Sequence, residues 1–308
     1  MRTLFAILLL AISPALAADS DFNGRWDITA QTKPRPLGWW LELAGVGTPT
    51  ASGKFVSAHG GDLNQVDHIA VVDGELQVSF DMPGRGGKTT PSATYRARLV
   101  NGKLEGSRDA VKFTGVRPPV IADKDDASWQ RGTPVELFNG KDLTGWKALN
   151  SSAEMKWTYE NGILRNAPPT TDLISDRTFW NFELHVDFRI IEHSNSGIGL
   201  RGRYEIQILE DYGKPVNTHG AAALYSRVAP SVNASKPAGE WQSYDIRLVG
   251  RTLTVVHNGI KVLDKVEVEG LTAIANNADE GEPGPFILQG DHSYVEIKSF
   301  RVTPLTKK

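Results

Sequence analysis

The chain has 308 residues, with 34 Lys and Arg against 36 Asp and Glu and no cysteine. The absence of cysteine excludes a disulfide-held scaffold, so the fold must rest on its own apolar core, and the length allows one large or two medium domains. A formal net charge of −2 gives no general attraction to nucleic acid or an anionic membrane, which leaves a neutral ligand as the expected partner.

Residues 1–17 open with Arg2, run through "LFAILLLAI" and end in the small-residue site "ALA". This predicts a cleaved signal peptide and a periplasmic or secreted mature protein. No cysteine follows for a lipid anchor, and no later segment reaches the ~20 apolar residues of a membrane helix, so no membrane insertion is expected. Residues 19–116 read as a small all-β accessory domain, a barrel or sandwich of six or so strands beginning at "FNGRWDI". The runs "HIAVVDGELQVSF" (68–80) and "TYRARLVNGKLEG" (94–106) each place Asp-Gly or Asn-Gly between two apolar segments, a strong hairpin signal. Trp39 and Trp40 are adjacent, so on a strand one of them faces outward, to stack on a sugar or to meet another domain. The segment "SAHGGDLNQVDH" (57–68) gathers His59, Asp62, Asp67 and His68 without a recognised metal-ligand spacing, and is expected to be a polar hairpin loop. For this domain the expectation is auxiliary sugar binding or packing beside a cleft.

A proline- and charge-bearing stretch, 117–134, reads as an exposed linker. From 135 to 306 some dozen strand candidates predict a two-layer β-sandwich, with "RTLTVVHNGIKVLDKV" (251–266) as a further hairpin. Only "SSAEMKW" and "GLTAIANNA" look locally helical. No internal repeat is evident.

Within the second domain, "LFNGKDLTGW", "WTYENGIL", "FELHVDFRI", "NSGIGLRG", "YEIQILED", "HGAAALY", "APSVNASKPAGEWQSYDI", "VVHNGIKV" and "GPFILQGDH" occur in that order. Together they resemble the 3-keto-disaccharide hydrolase family. The resemblance implies a concanavalin A-like jelly-roll β-sandwich with a sugar site on its concave sheet, and cleavage of glycosides whose sugar carries a ketone at C3. Such a ketone acidifies the C2 hydrogen. A base can remove it, the resulting enolate expels the oxygen at C1, and water can add to the enone, so the outcome is lyase or hydrolase chemistry. The site needs a base over C2, donors or a divalent metal at the ketone oxygen, and an acid at the leaving oxygen.

"YEIQILED" (204–211) also resembles the E-x-D-x-x-E motif of laminarinase-type β-glucanases, with Gln207 in place of the central aspartate, which argues against a conventional glucanase. On a strand Glu205 and Gln207 share one face, while Tyr204, Ile206 and Ile208 share the other. Asp211 stands at the strand end, where a turn can return it to the site. Arg201 is a candidate for orienting the ketone or stabilising the enolate, and glycines 197, 199 and 202 are expected to let a ligand approach. His219 is a candidate acid, base or metal ligand. Tyr225 and Lys236 are candidate sugar contacts, although "YSR" departs from the glycine that usually follows this tyrosine in the family. In "FILQGDH" Gln289 faces the ligand, and a bulge at Gly290 would bring in His292, which with Glu205 forms the favoured pair, one abstracting and one polarising. Asp291 and His292 are the candidate ligands should a metal bind, but the spacing lacks an H-x-x-x-H or H-E-x-x-H form. Trp146, Trp157, Trp180 and Trp241 are expected in the core or at the rim. The rival to an enzyme is a lectin-like binding protein on the same fold.

Overall fold

A computed structural model describes residues 17–83, 89–91, 93–290 and 292–308. The expected signal peptide, apart from Ala17, lies outside the described residues, as does Asp291.

Besides a separate two-stranded ribbon of Asp81–Pro83 and Thr89–Pro91, the first domain is built on one curled antiparallel sheet. Its strands lie in the order Asn64–Gln65, Ser52–Ser57, Leu37–Ala44, Gly24–Ala30, Val111–Val116, Lys103–Arg108, Tyr95–Val100, Glu75–Ser79 and His68–Val72. The two edge strands are halves of one bent run. Val66 N–H donates to Gly53 O on one side (2.8 Å) and Asp67 N–H to Ser79 O on the other (3.2 Å), which closes the sheet into a barrel and removes its open edges. The predicted hairpins turn at Asp73-Gly74 and Asn101-Gly102, and both residues of each pair have positive φ (50° and 70°, 52° and 76°), as a type I′ turn requires.

Strand periodicity sorts the paired tryptophans. Trp39 points inward, edge-on to Phe55 and Tyr95 with ring centroids 5.9 and 5.6 Å away. Trp40 therefore points outward, into the second domain. Its indole lies under the Arg227 guanidinium at 4.4 Å, and a Cβ at Gly270 would overlap its Nε1. Of the two expected roles, Trp40 takes the domain contact.

Asp27 is the cross-strand partner of Trp40 and shares that outward face. It is 1% exposed and meets a second-domain cluster of Glu280, Arg251 and Arg203. Burial first, and the Glu280 charge second, push its carboxyl up to about 8. The folded state therefore keeps a proton that an unfolded Asp27 releases near pH 3.8. Stability falls as pH rises between those two values, and the contribution is lost above about pH 8. Asp27→Asn should flatten this slope and leave the variant more stable than the parent at pH 9, as read by denaturant melts at pH 6 and pH 9. Parallel pH profiles for the two proteins would refute the assignment.

The linker is exposed along most of its length, as expected, and is also strapped to the second domain. Asp123 accepts hydrogen bonds from Trp180 Nε1 and Asn181 Nδ2, both 2.8 Å, and Asp125 pairs with Arg247 at 2.8 Å. Trp129–Arg131 within it and Val135–Glu136 just after it pair with the long C-terminal strand Val295–Lys307.

The second domain is a two-layer jelly-roll sandwich. One sheet runs in the order Trp157–Glu160, Ile163–Asn166, Val295–Lys307, Phe182–Ile190, Trp241–Val249, Thr252–His257 and Ile260–Glu267. The other runs Trp146–Ala148, Leu173–Phe179, Gly284–Leu288, Asn195–Leu200 and Tyr204–Leu209. Between them Phe286 contacts Phe182 and Phe300 edge-on, and Trp146 contacts Phe300 likewise, in a core of buried aromatic and branched side chains.

Neither segment expected to be helical is a helix. Both are too short to offset helix nucleation, and the backbone of 270–278 is engaged elsewhere. Thr272 and Asn276 N–H donate to Arg203 O and Gly202 O, while Ala273 O and Ala275 O accept from Gly60 and Gly38 of the first domain.

Candidate active site

Glu205 and Gln207 project from one face of Tyr204–Leu209, while Tyr204, Ile206 and Ile208 fill the core at 0–1% exposure. The free edge of this strand is covered by 220–225. Gln207 N–H donates to Ala223 O (3.1 Å), Ala222 N–H to Gln207 O (2.9 Å) and Tyr225 N–H to Glu205 O (3.0 Å). Glu205 and Gln207 are consequently only 3% exposed each. The expected room beside the glycines is already filled. A Cβ at Gly197 would overlap Glu205 Oε1, and one at Gly199 would press on Ile287 and Ile274. Gly197 thus makes space for the Glu205 carboxylate rather than for a ligand.

Around these two residues lies a narrow pocket of about 50 Å³. Asn195 lines it from the neighbouring strand, Gln289 and His292 from the segment just after Gly284–Leu288, and Tyr225 closes one side. Gln289 is held by its own backbone, its N–H donating to Gly197 O at 3.0 Å and its carbonyl accepting from Ser196 Oγ at 2.8 Å. Gln207 Nε2 makes long contacts to Asn195 Oδ1 (3.3 Å) and His219 O (3.4 Å), while its Oε1 is buried without a hydrogen-bond partner. An acceptor left unpaired in a buried pocket costs about 1–3 kcal/mol, which a ligand hydroxyl would recover.

The first domain completes this pocket. His59 and Gly60 line it, with Gly60 N–H donating to Ala273 O (3.2 Å). Asp62 Oδ1 pairs with His219 Nε2 at 2.9 Å and accepts from the Tyr225 hydroxyl at 3.3 Å, and the His219 and Tyr225 rings meet edge-on at 5.0 Å. Leu63 N–H donates to Ser226 Oγ at 2.8 Å. Burial, then the charges of Asp62 and Glu205, push the Tyr225 phenol up to about 12, so it remains a donor at neutral pH. The segment expected to be an ordinary polar loop is therefore part of the site. Its residue types were visible in the sequence, but their position beside Glu205 was not, because docking two separate domains brings them there.

Three expected site residues stand elsewhere. Arg201 is fully buried in the turn before Tyr204. Its Nε, Nη1 and Nη2 donate to Trp180 O (2.6 Å), Gly250 O (2.9 Å) and Asn181 Oδ1 (3.1 Å), and its guanidinium stacks on Trp180 at 3.9 Å. Burial lowers its pKa to about 10. That geometry turns Arg201 from the pocket, and it neither pairs with Glu205 nor can reach a ketone. Asp211 pins the covering segment, accepting from Ala221 N–H (2.8 Å) and Ser235 Oγ (2.7 Å). Lys236 Nζ donates to Trp241 O at 3.0 Å, outside the pocket lining. The sequence places all three next to site segments; side-chain direction decides otherwise. Trp146, Trp157 and Trp180 donate their indole N–H groups to Leu137 O, Thr171 O and Asp123 Oδ2, so they serve packing. Among the described residues no group of three His, Asp or Glu side chains forms a metal cluster, and Asp291 lies outside those residues.

At His59 the pocket meets a larger cleft of about 500 Å³ between the domains. Lys33, Pro34, Arg35 and Leu37 form its first-domain wall; Leu149, Ala153, Lys156 and Pro169 face it from the second.

Residues 133–303 match the model of the 3-keto-α-glucoside-1,2-lyase-like domain. A 3-keto-disaccharide hydrolase of Bacteroides thetaiotaomicron is 24% identical over 166 residues, covering 42% of this chain and 57% of that protein. The chain thus spans a little over half the length of this curated relative. Among solved structures, a candidate glycosyl hydrolase of Parabacteroides distasonis is 23% identical with a TM-score of 0.49, covering 61% of this chain and 92% of its own. A non-specific endo-β-1,3(4)-glucanase is 12% identical with a TM-score of 0.38, covering 62% and 95%.

Proposed function

Because the chain belongs to the 3-keto-α-glucoside-1,2-lyase-like domain family through residues 133–303, we propose that it is an exported carbohydrate-active enzyme that cleaves 3-keto-glycosides by elimination across C1 and C2. Glu205 takes the C2 proton. His292, with the side-chain amide of Gln289, polarises the ketone as its oxygen becomes the enolate, while Gln207 Oε1 accepts from a sugar hydroxyl. The C1–O bond then breaks, its electron pair leaving with the oxygen, which gains a proton. Water adds to C1 of the enone and C2 is reprotonated, so the net reaction is hydrolysis; release of the enone gives the lyase outcome.

The observation that supports this reading best is the makeup of the pocket. Among its described lining residues Glu205 is the one carboxylate, with Asp62 standing behind Tyr225 and His219 and its Oδ1 engaged by both, and the polar groups beside Glu205 are amides, imidazoles and a phenol. Direct glycoside hydrolysis uses two carboxylates, about 5–5.5 Å apart for retention and about 6.5–9.5 Å for inversion. Elimination needs one base and several neutral donors.

Two experiments test the proposal. The purified protein should consume a 3-keto-glucoside and leave the parent glucoside intact; cleavage of the parent at a comparable rate would point to ordinary hydrolysis. In D2O the released 3-keto-glucose should carry deuterium at C2, above the level of an enzyme-free control. Retention of the C2 hydrogen would rule out elimination.

A further inference from the structure

The cleft between the domains plays no part in the chemistry at C2, yet it is the larger space, and its volume suits a small molecule. It joins the catalytic pocket at His59, which lines both. His59 Nε2 lies 3.8 Å from Oδ2 of the buried Asp172, whose other oxygen accepts from Gly290 N–H at 2.9 Å. A glycoside with its sugar ring at Glu205 can therefore extend its C1 substituent past His59 into the cleft.

We propose that the first domain supplies the leaving-group half of the active site: the cleft receives an apolar, non-sugar aglycone, and His59 protonates the glycosidic oxygen at its mouth. The assignment rests on the 3-keto-glycoside reading above. The surface the cleft exposes is mostly apolar, with Pro34 and Leu37 on one side and Leu149, Ala153 and Pro169 on the other, although Lys33, Asn150, Thr170 and Thr171 also line it. Much of the polar lining is already engaged. Lys156 pairs with Glu154 at 3.0 Å, Arg35 donates to Asn276, and Asp172 is held as described. No aromatic side chain is among the lining residues to face a pyranose. Hydroxyls of a second sugar would lose water against these apolar surfaces, whereas an alkyl or aryl group loses nothing.

In the elimination, protonated His59 gives its proton to the departing oxygen as the C1–O electron pair moves onto it, while Glu205 holds the proton from C2. In the hydration half, neutral His59 takes a proton from water, hydroxide adds at C1, and Glu205, whose carboxyl proton has meanwhile exchanged with solvent, protonates C2. Both groups end as they began.

Binding decides the cleft independently of turnover. In calorimetric titrations of the full chain, unoxidised phenyl glucoside should bind at least ten-fold more tightly than a glucosyl-glucose disaccharide. Leu37→Glu and, on the second domain, Ala153→Trp should each abolish that preference; the second variant guards against misfolding of the first. Equal binding, or a preference that survives both changes, overturns the assignment. For His59 the readout is dependence on the leaving group. His59→Gln should slow release of phenol or methanol from their 3-keto-glucosides roughly 100-fold, and release of 4-nitrophenol, which leaves as a stable anion, less than ten-fold. A uniform loss across leaving groups would show a structural role and overturn the donor. If no 3-keto-glycoside is consumed at all, the reaction of the preceding section fails, and the binding preference still decides whether the cleft takes an apolar aglycone.

Discussion

Glu205→Gln lowers kcat for a 3-keto-glucoside by about 10²–10⁴-fold, the range expected on removing a positioned general base, with KM little changed. The substitution keeps the shape of the side chain in the space left by Gly197 and the backbone pairing with Tyr225, so folding is not at issue. The amide cannot accept the C2 proton, and solvent deuterium should no longer enter C2 of the substrate. His292→Ala should reduce kcat less, because Gln289 remains as a donor beside the ketone. Full activity in Glu205→Gln together with a dead His292→Ala would exchange the two roles and overturn the assignment made here.

Glu280→Ala is expected to give the largest loss of stability. Glu280 is fully buried and accepts three hydrogen bonds: from Tyr204 Oη at 2.7 Å, Arg251 Nη1 at 2.9 Å and Arg251 Nη2 at 2.8 Å. Removing one partner from a buried charge pair leaves the other unpaired, at a cost of about 3–5 kcal/mol. Asp27 supplies an internal control. Without the Glu280 charge its carboxyl should ionise more readily and take over part of the neutralisation of Arg251 and Arg203. The double variant Asp27→Asn, Glu280→Ala should therefore be less stable than Glu280→Ala alone at pH 8, in contrast to the stabilising effect of Asp27→Asn in the parent at high pH. Denaturant titrations of the four proteins give the coupling directly; additivity would mean that the two carboxyls do not interact across the domain boundary.

Much of the architecture could be read locally. The Asp-Gly and Asn-Gly hairpins turn where their positive-φ requirement places them, and the alternation in "YEIQIL" sends Tyr204, Ile206 and Ile208 to the core and Glu205 and Gln207 to the other face. The adjacency of Trp39 and Trp40 likewise forced one of them out of the barrel. Each of these follows from the two-residue period of a strand or the steric demand of a tight turn, which act between neighbours in sequence. Barrel closure was less accessible, since it depends on one bent run, 64–72, changing partners between Val66 and Asp67.

The candidate site divides along the same line. Local sequence placed Glu205, Gln207, Tyr225, Gln289 and His292 on segments that do meet in one pocket. It could not exclude Arg201, Asp211 and Lys236, because a buried polar side chain goes where hydrogen-bond partners wait, and here those are Trp180 O, Ala221 N–H and Trp241 O. Nor could it find His59 and Asp62, which lie more than 100 residues before Glu205 and reach the pocket only because Trp40, Asp27 and Gly38 dock the barrel onto the sandwich. The sequence by itself determined the all-β class and which strand face carries the polar residues, since both are written in short-range periodicity. The tertiary structure alone decided that the site is shared between the domains, because that depends on shape and charge matching between surfaces that no local pattern encodes.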